Sequence, residues 1–261
     1  MITLHTFASG SEGNCLLLSA PGVHFLVDAG ISCRRIRSCL QELGLTLSDL
    51  SGVLVTHSHG DHTRGLQTLC KTAAVPVYAS GATGAAIAAP HIAPCLRRIE
   101  PGDVFPLGAV RVTVFPTSHD APGSVDFRFD CGGCSAGVLT DTGYVTDEAA
   151  QALRGVELLV LESNHDILRL KSGSYPYPLQ QRILGDLGHL SNEAAARFAA
   201  EMASFGTQRF ILAHLSRENN TPQLALEAVT EALAPFHCEV ALAPRSGVSS
   251  AYQTEGSLCR R

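Results

Sequence analysis

What most constrains this chain is where its polar residues fall. Apolar runs of strand length recur along it, and six close on a histidine or aspartate cluster. These are Asp28 after HFLV, His57 to His62 after GVLV, His119 after VTVFP, Asp141 after AGVL, His165 after ELLVLE and His214 after RFIL. Helical patterns alternate with them. SCRRIRSCLQELGL offers Ser32 as N-cap, an apolar stripe of Ile36, Leu40 and Leu43, and Gly44 as a stop. Further helices are expected in the Ala-rich stretch at 81–89, in TDEAAQALRG, in LSNEAAARFAAEMAS after His189, and in TPQLALEAVTEALA. Where helices cover a sheet, ligands gather beyond the carboxyl ends of its strands, so the six polar ends are expected to face one site.

The 261 residues are 45% hydrophobic and only 16% charged. That excludes a disordered or fibrous chain and suits one domain over 1–261 with a sizeable core. A net charge of −5 gives no global basic footprint, so nucleic-acid binding would rest on a local patch or on metal ions. MITLHTFASGS has neither the basic nor the apolar part of a signal peptide, and no apolar run approaches ~18 residues. A cytoplasmic, non-membrane protein is therefore expected. Nine cysteines at irregular spacings, among them Cys259, read as reduced core thiols. CGGC at 131–134 lies between strand runs and reads as a hairpin turn in preference to a redox or metal pair.

THSHGDH packs three histidines and an aspartate into positions 57–62. A strand would split them between two faces, and a helix would align only residues three or four apart. They can converge only on a tight loop. Imidazole and carboxylate suit zinc and, less selectively, manganese or iron. No cysteine is near enough for a closed structural zinc site, and the donors exceed what one catalytic metal needs. Two divalent ions sharing a site are expected, ~3.5–4 Å apart and holding a bridging hydroxide, which is hydrolysis chemistry.

Asp28 in LVDAG, then HxHxDH, His119 in TSHD, Asp141 in LTDTG and His214 in LAHLS, in that order, resemble the metallo-β-lactamase superfamily over essentially the whole chain. The resemblance implies a four-layer αββα sandwich of two mixed sheets flanked by helices. It also implies that His57, His59 and His119 bind one metal, that Asp61, His62 and His214 bind a second, and that Asp141 bridges them. Asp28 would anchor the histidine loop from behind. Metallo-β-lactamases themselves carry cysteine where Asp141 stands, so antibiotic hydrolysis is disfavoured.

FASGSEGNCLLL, LESNHD with YPYPLQQRILGDLGHLSNEAA, and LAHLSRENNTP look like the YycJ/WalJ-type metallohydrolases. That resemblance implies a cytoplasmic exonuclease acting 5′-to-3′ on double-stranded DNA. The layout is also similar to transfer-RNA 3′-processing nucleases. However, 21 residues between His119 and Asp141 leave no room for a tRNA-binding arm, and 72 between Asp141 and His214 leave none for a β-CASP cap. The alternative is a small-molecule hydrolase of thioesters, lactones or cyclic phosphodiesters.

Asp61, His189 and His165 are the candidate catalytic residues. His189, one residue ahead of a helix start, would bind phosphate or protonate the leaving oxygen, or else merely cap that helix. SGSEGN at 9–14 is a phosphate-binding nest or a plain turn. Arg217, Asn219 and the RRIR run read as solvated residues that could touch phosphate. Tyr175 and Tyr177 lie in a Pro-rich loop and either pack against the domain or stack a base.

Overall fold

The computed structural model describes residues 1–255; Cys259 lies outside them. Two seven-stranded sheets are filled almost entirely in chain order. The first takes β1 (Thr3–Ala8), β2 (Cys15–Ala20), β3 (Val23–Val27), β4 (Leu50–Leu54), β5 (Val77–Ser80) and β6 (Leu96–Ile99). The second takes β7 (Val104–Leu107), β8 (Val110–Pro116), β9 (Val125–Cys131), β10 (Cys134–Leu139), β11 (Leu158–Glu162), β12 (Arg209–Ala213) and β13 (Glu239–Leu242). β14 (Tyr252–Gln253) returns to the first sheet beside β1. In each sheet the early strands pair antiparallel through short turns, and the later ones run parallel: β3 through β6, and β10 through β13. Parallel neighbours need crossovers, and helices supply them.

Three apolar layers hold the sandwich. Between the sheets, Phe25, Phe127 and Phe129 are fully buried, with the Phe25 and Phe129 rings 5.5 Å apart. Truncating one such ring to Ala costs about 3–5 kcal/mol. Outside the first sheet lie α1 (Cys33–Glu42), the short α2 (Gly60–Thr63), α3 (Leu66–Ala73) and α4 (Gly81–Ile87). Ile36, Leu40, Leu66 and Leu69 from α1 and α3 pack there. Ser32 caps α1 by accepting the Arg35 N–H, and Gly44 turns left-handed after it.

Along the second sheet run α5 (Asp147–Leu153), α6 (Ile167–Ser172), α7 (Tyr177–Leu184), α8 (Asn192–Ser204) and α9 (Pro222–Ala232). Leu153, Phe198, Met202 and Val229 close this layer. The helix–sheet–sheet–helix order is the one the sequence implies. Tyr177 begins a helix rather than lying in a loop; no residue of α7 is fully buried, and Leu179 and Ile183 are half-buried. Cys131 and Cys134 face each other across a hairpin whose Gly132 and Gly133 have φ of 57° and 81°. Both thiols are free. No helix among the described residues is long and apolar enough to cross a membrane.

Candidate metal centre

The strands that end on polar residues all open at one edge of the sandwich. At three of these ends the backbone turns left-handed on a residue other than glycine: Asp28 (φ 61°), Asp141 (φ 52°) and His214 (φ 55°). Asp and His tolerate this region better than most residues, and such strain persists where the surroundings over-determine it. Here it turns Asp141 and His214 into the donor cluster and sets Asp28 against the back of His62.

The donors fall into overlapping groups whose ligand atoms lie within 4.8 Å of one another. His57, His59 and His119 form one and Asp61, His62 and His214 another; Asp141 belongs to a third with His57 and His62 and to a fourth with Glu162, His189 and His214. His57 Nε2 is 3.1 Å from His59 Nδ1. Asp141 lies between the first two groups, its Oδ2 3.3 Å from His62 Nε2 and its Oδ1 4.0 Å from His119 Nε2. The structure thus brings together all seven residues read from sequence as ligands.

Four of the five imidazoles, all but His59, are held by the far nitrogen. His62 Nδ1 donates to Asp28 Oδ2 at 2.7 Å, and Thr56 donates both its N–H and its hydroxyl to the same carboxylate. With the Thr56 proton committed there, His57 Nδ1 donates to Thr56 Oγ1 at 3.0 Å. His119 Nδ1 donates to the Gly188 carbonyl at 3.2 Å. His214 Nδ1 donates to Glu162 Oε1 at 2.9 Å. Such partners fix the tautomer and aim the opposite nitrogen at the ion.

Two buried atoms, Asp141 Oδ2 and His214 Nε2, have no hydrogen-bond partner among the described residues. Orphaned acceptors in a buried cluster are costly unless a cation meets them. The all-nitrogen-and-oxygen donor set therefore fits divalent metal.

The electrostatics agree. Burial, reinforced by the neighbouring His62 and His119, drives the His57 pKa far down and keeps that ring neutral. Burial opposes charge on His62 as well, yet Asp28 and Asp141 outweigh it and push its pKa up to about 9 without a cation. Burial is likewise outweighed at Asp61, which His214 and His62 hold ionised with a pKa of about 2.

Two participants escape the sequence reading. Glu162, fully buried at the end of β11, accepts from His189 Nδ1 at 2.8 Å as well as from His214, and from the N–H groups of Leu190 and Thr142. Burial works against its charge, but the two imidazoles hold its pKa well below the usual carboxylate range. An acid closing an apolar run looks like a strand boundary, and only its repetition at the other strand ends would have flagged it. Asn14 places Nδ2 2.9 Å from His62 Nε2 and 3.5 Å from Asp61 Oδ2, while its own N–H donates to the Asp61 carbonyl. The 9–14 loop is thus knitted into the centre: the Gly10, Gly13 and Asn14 amides are all taken, and Ser9 accepts the His214 N–H.

His189 sits beside the donors, its ring centroid 5.2 Å from those of both His119 and His214, with 22% of its side chain exposed. It does not cap α8; Ser191 does, accepting the Ala194 N–H. His165 stands apart, 1% exposed, with burial pulling its pKa down to about 4 and its carbonyl tied to the Asn192 N–H. Arg217 is exposed and paired with Glu12, and Asn219 is buried. A pocket of about 210 Å³ opens over the donors, and Tyr175 lines it while Tyr177 points into solvent.

A family model described as beta-lactamase superfamily domain matches residues 24–215. The chain is 37% identical over 231 residues to the exodeoxyribonuclease YycJ of Bacillus anthracis, covering 87% of each protein. It is 37% identical over 238 residues to the exodeoxyribonuclease WalJ of Streptococcus pneumoniae, covering 87% of this chain and 86% of that one. Among solved structures, the metallo-beta-lactamase fold protein YhfI of Bacillus subtilis aligns with a TM-score of 0.72 at 17% identity, over 96% of this chain and 100% of the other. The chain belongs to the β-lactamase superfamily as a metal-dependent hydrolase, in the family of the YycJ and WalJ exodeoxyribonucleases.

Proposed function

We propose that this hydrolase is a DNA exonuclease that removes nucleotides 5′-to-3′ from double-stranded DNA in the cytoplasm. The observation that carries the reading is the histidine and aspartate donor cluster gathered around Asp141, of which His119 and His214 line a pocket, in a chain whose 37%-identical relatives are named exodeoxyribonucleases. His57, His59 and His119 would hold one divalent cation and Asp61, His62 and His214 the other, with Asp141 common to both; zinc, manganese and iron all suit these atoms. When bound, the pair neutralises phosphate charge and makes water acidic enough to attack at neutral pH.

The chain's own groups supply the rest. Asp61, kept ionised and partly exposed, accepts a hydrogen bond from the attacking water and fixes its approach. As water oxygen bonds to phosphorus, the ester bond to the departing nucleotide breaks and its oxygen needs a proton. His189 is placed to give it: Nδ1 is held by Glu162, and no described residue bonds Nε2. Asp28 and Glu162 keep His62, His214 and His189 in the tautomers these tasks require. His165, behind the centre, steadies the turn into α8 through its carbonyl.

The test is digestion of end-labelled linear duplex by protein reloaded with manganese or zinc, beside an Asp61→Ala/His62→Ala control. Stepwise release from the 5′ end, lost in the control, is the expected result. Intact DNA and RNA despite two bound ions would overturn the reading in favour of a small-molecule hydrolase.

A further inference from the structure

We propose that the pocket over the metal centre is a subsite for one unpaired nucleotide, so that the terminal base pair must open before its strand is cut. This rests on the exonuclease reading and names what that site takes. The pocket has two unlike sides. His119, Asp120, His189 and His214 form a polar floor, and Tyr175, Leu179, Ile183 and Leu187 form an apolar wall.

The wall is built by α7. Leu179, Arg182 and Ile183 are spaced i, i+3 and i+4 and so share one face of this helix, with Tyr175 just before its start. A helix that buries nothing in the core and yet turns Leu179 and Ile183 to the pocket has its apolar surface set aside for something else. Leu187, 54% exposed, extends that surface.

Among the described residues, Arg182 is the only arginine or lysine lining the pocket. Its Nε donates to Asp120 Oδ2 at 2.6 Å, and one Nη lies on the same oxygen. Two of its five N–H groups are thus engaged, and the others have no partner among the described residues. They form a fixed fork suited to a phosphate oxygen. Asp120 holds that fork beside the centre: its Oδ1 is 3.5 Å from His119 Nε2 and 3.6 Å from His59 Nε2.

Size and chemistry select the occupant. At about 210 Å³ the space falls below the ~300–1,000 Å³ of drug-sized sites, enough for one base and not for a base pair. The wall offers one aromatic and three aliphatic faces; the polar side chains that also line the pocket, Ser11, Asn164 and Ser216, lie outside it, and Asn164 Nδ2 is committed to the His214 carbonyl. Stacking on such a surface accepts any base, as an enzyme that advances through arbitrary sequence requires. A neutral π-face on the wall, a phosphate on Arg182 and a scissile bond over the donors together describe a nucleotide turned out of its stack.

The protein contains no tryptophan, so Tyr175→Trp gives a single reporter at the wall. With the full-length, metal-loaded protein, deoxyadenosine 5′-monophosphate should quench it, and Arg182→Gln in that background should weaken the titration about tenfold. In digestion, three mismatched terminal pairs should speed release of the first nucleotide at least tenfold over a fully paired end. An abasic terminal nucleotide should raise KM about tenfold with kcat little changed, and Ile183→Glu should remove that difference. Equal rates on paired and mismatched ends, or equal KM with and without the terminal base, would overturn the subsite while leaving the exonuclease standing. Absence of any DNA cleavage would overturn the exonuclease reading, and the fluorescence titration would then judge the pocket alone: no quenching by the nucleotide refutes it.

Discussion

Glu162 Oε1 accepts the Nδ1 proton of His214 at 2.9 Å and, on the same oxygen, that of His189 at 2.8 Å. One carboxylate therefore sets the tautomer of a ring in the donor cluster and of the His189 ring beside it. Replacing it with an amide keeps the volume but cannot accept both protons and also receive the Leu190 and Thr142 N–H groups. Glu162→Gln should lower metal affinity by about 10–100-fold, read by competition with a chromogenic chelator.

His189 should separate from the metal chemistry. His189→Ala is expected to bind two ions as the parent does and to lose about 10²–10⁴ in kcat on DNA. An activated aryl phosphodiester, whose leaving group needs no proton, should be cleaved nearly as fast as by the parent. Equal losses on both substrates would remove His189 from the acid role.

Acidity acts oppositely on the stripped and loaded protein. The folded state raises His62 from 6.5 to about 9, so it binds that proton more tightly than the unfolded chain does. This stabilisation is complete below pH 6.5 and disappears as pH rises through 9. Metal needs the same ring neutral and gains affinity across that window. Thermal melts of chelator-treated protein should fall between those pH values, while the increment from added zinc or manganese grows.

Gly30 tests how closely the loops around the centre are fitted. A Cβ there would stand 1.6 Å from the Asp61 carbonyl oxygen, a backbone atom that cannot swing aside. Gly30→Ala should displace Asp61 and the Asn14 amide bonded to it. We expect a loss of more than ~3 kcal/mol in urea unfolding, beyond ordinary overpacking, and reduced occupancy of the position held by Asp61, His62 and His214.

The residues that the structure gathers at the centre were legible because chemistry and periodicity coincide at them: a polar residue that ends an apolar run has few reasons to be there. The same rule hid Glu162, since one acid after LLVL reads equally well as the strand meeting water. It also promoted His165, which follows β11 by three residues yet turns behind the centre. Helix α7 escaped because Tyr-Pro-Tyr-Pro reads as loop and the helix has no stripe facing the core. The CGGC turn was legible because two adjacent left-handed residues demand glycine in a tight hairpin.

The seam between the two sheets gives the centre a further consequence. His57, His59, Asp61 and His62 follow a strand of the first sheet, and His119, Asp141 and His214 follow strands of the second. Ions gripped from both sides would act as removable cross-links, closing a chain loop from residue 62 to residue 214 in a molecule whose described cysteines are all free thiols. Closing so long a loop restricts the unfolded chain in the way a disulfide does, but the link is set by metal supply and proton concentration instead of by oxidation. The enzyme's lifetime under stress and its readiness to react would then follow the same variable, the local availability of divalent metal.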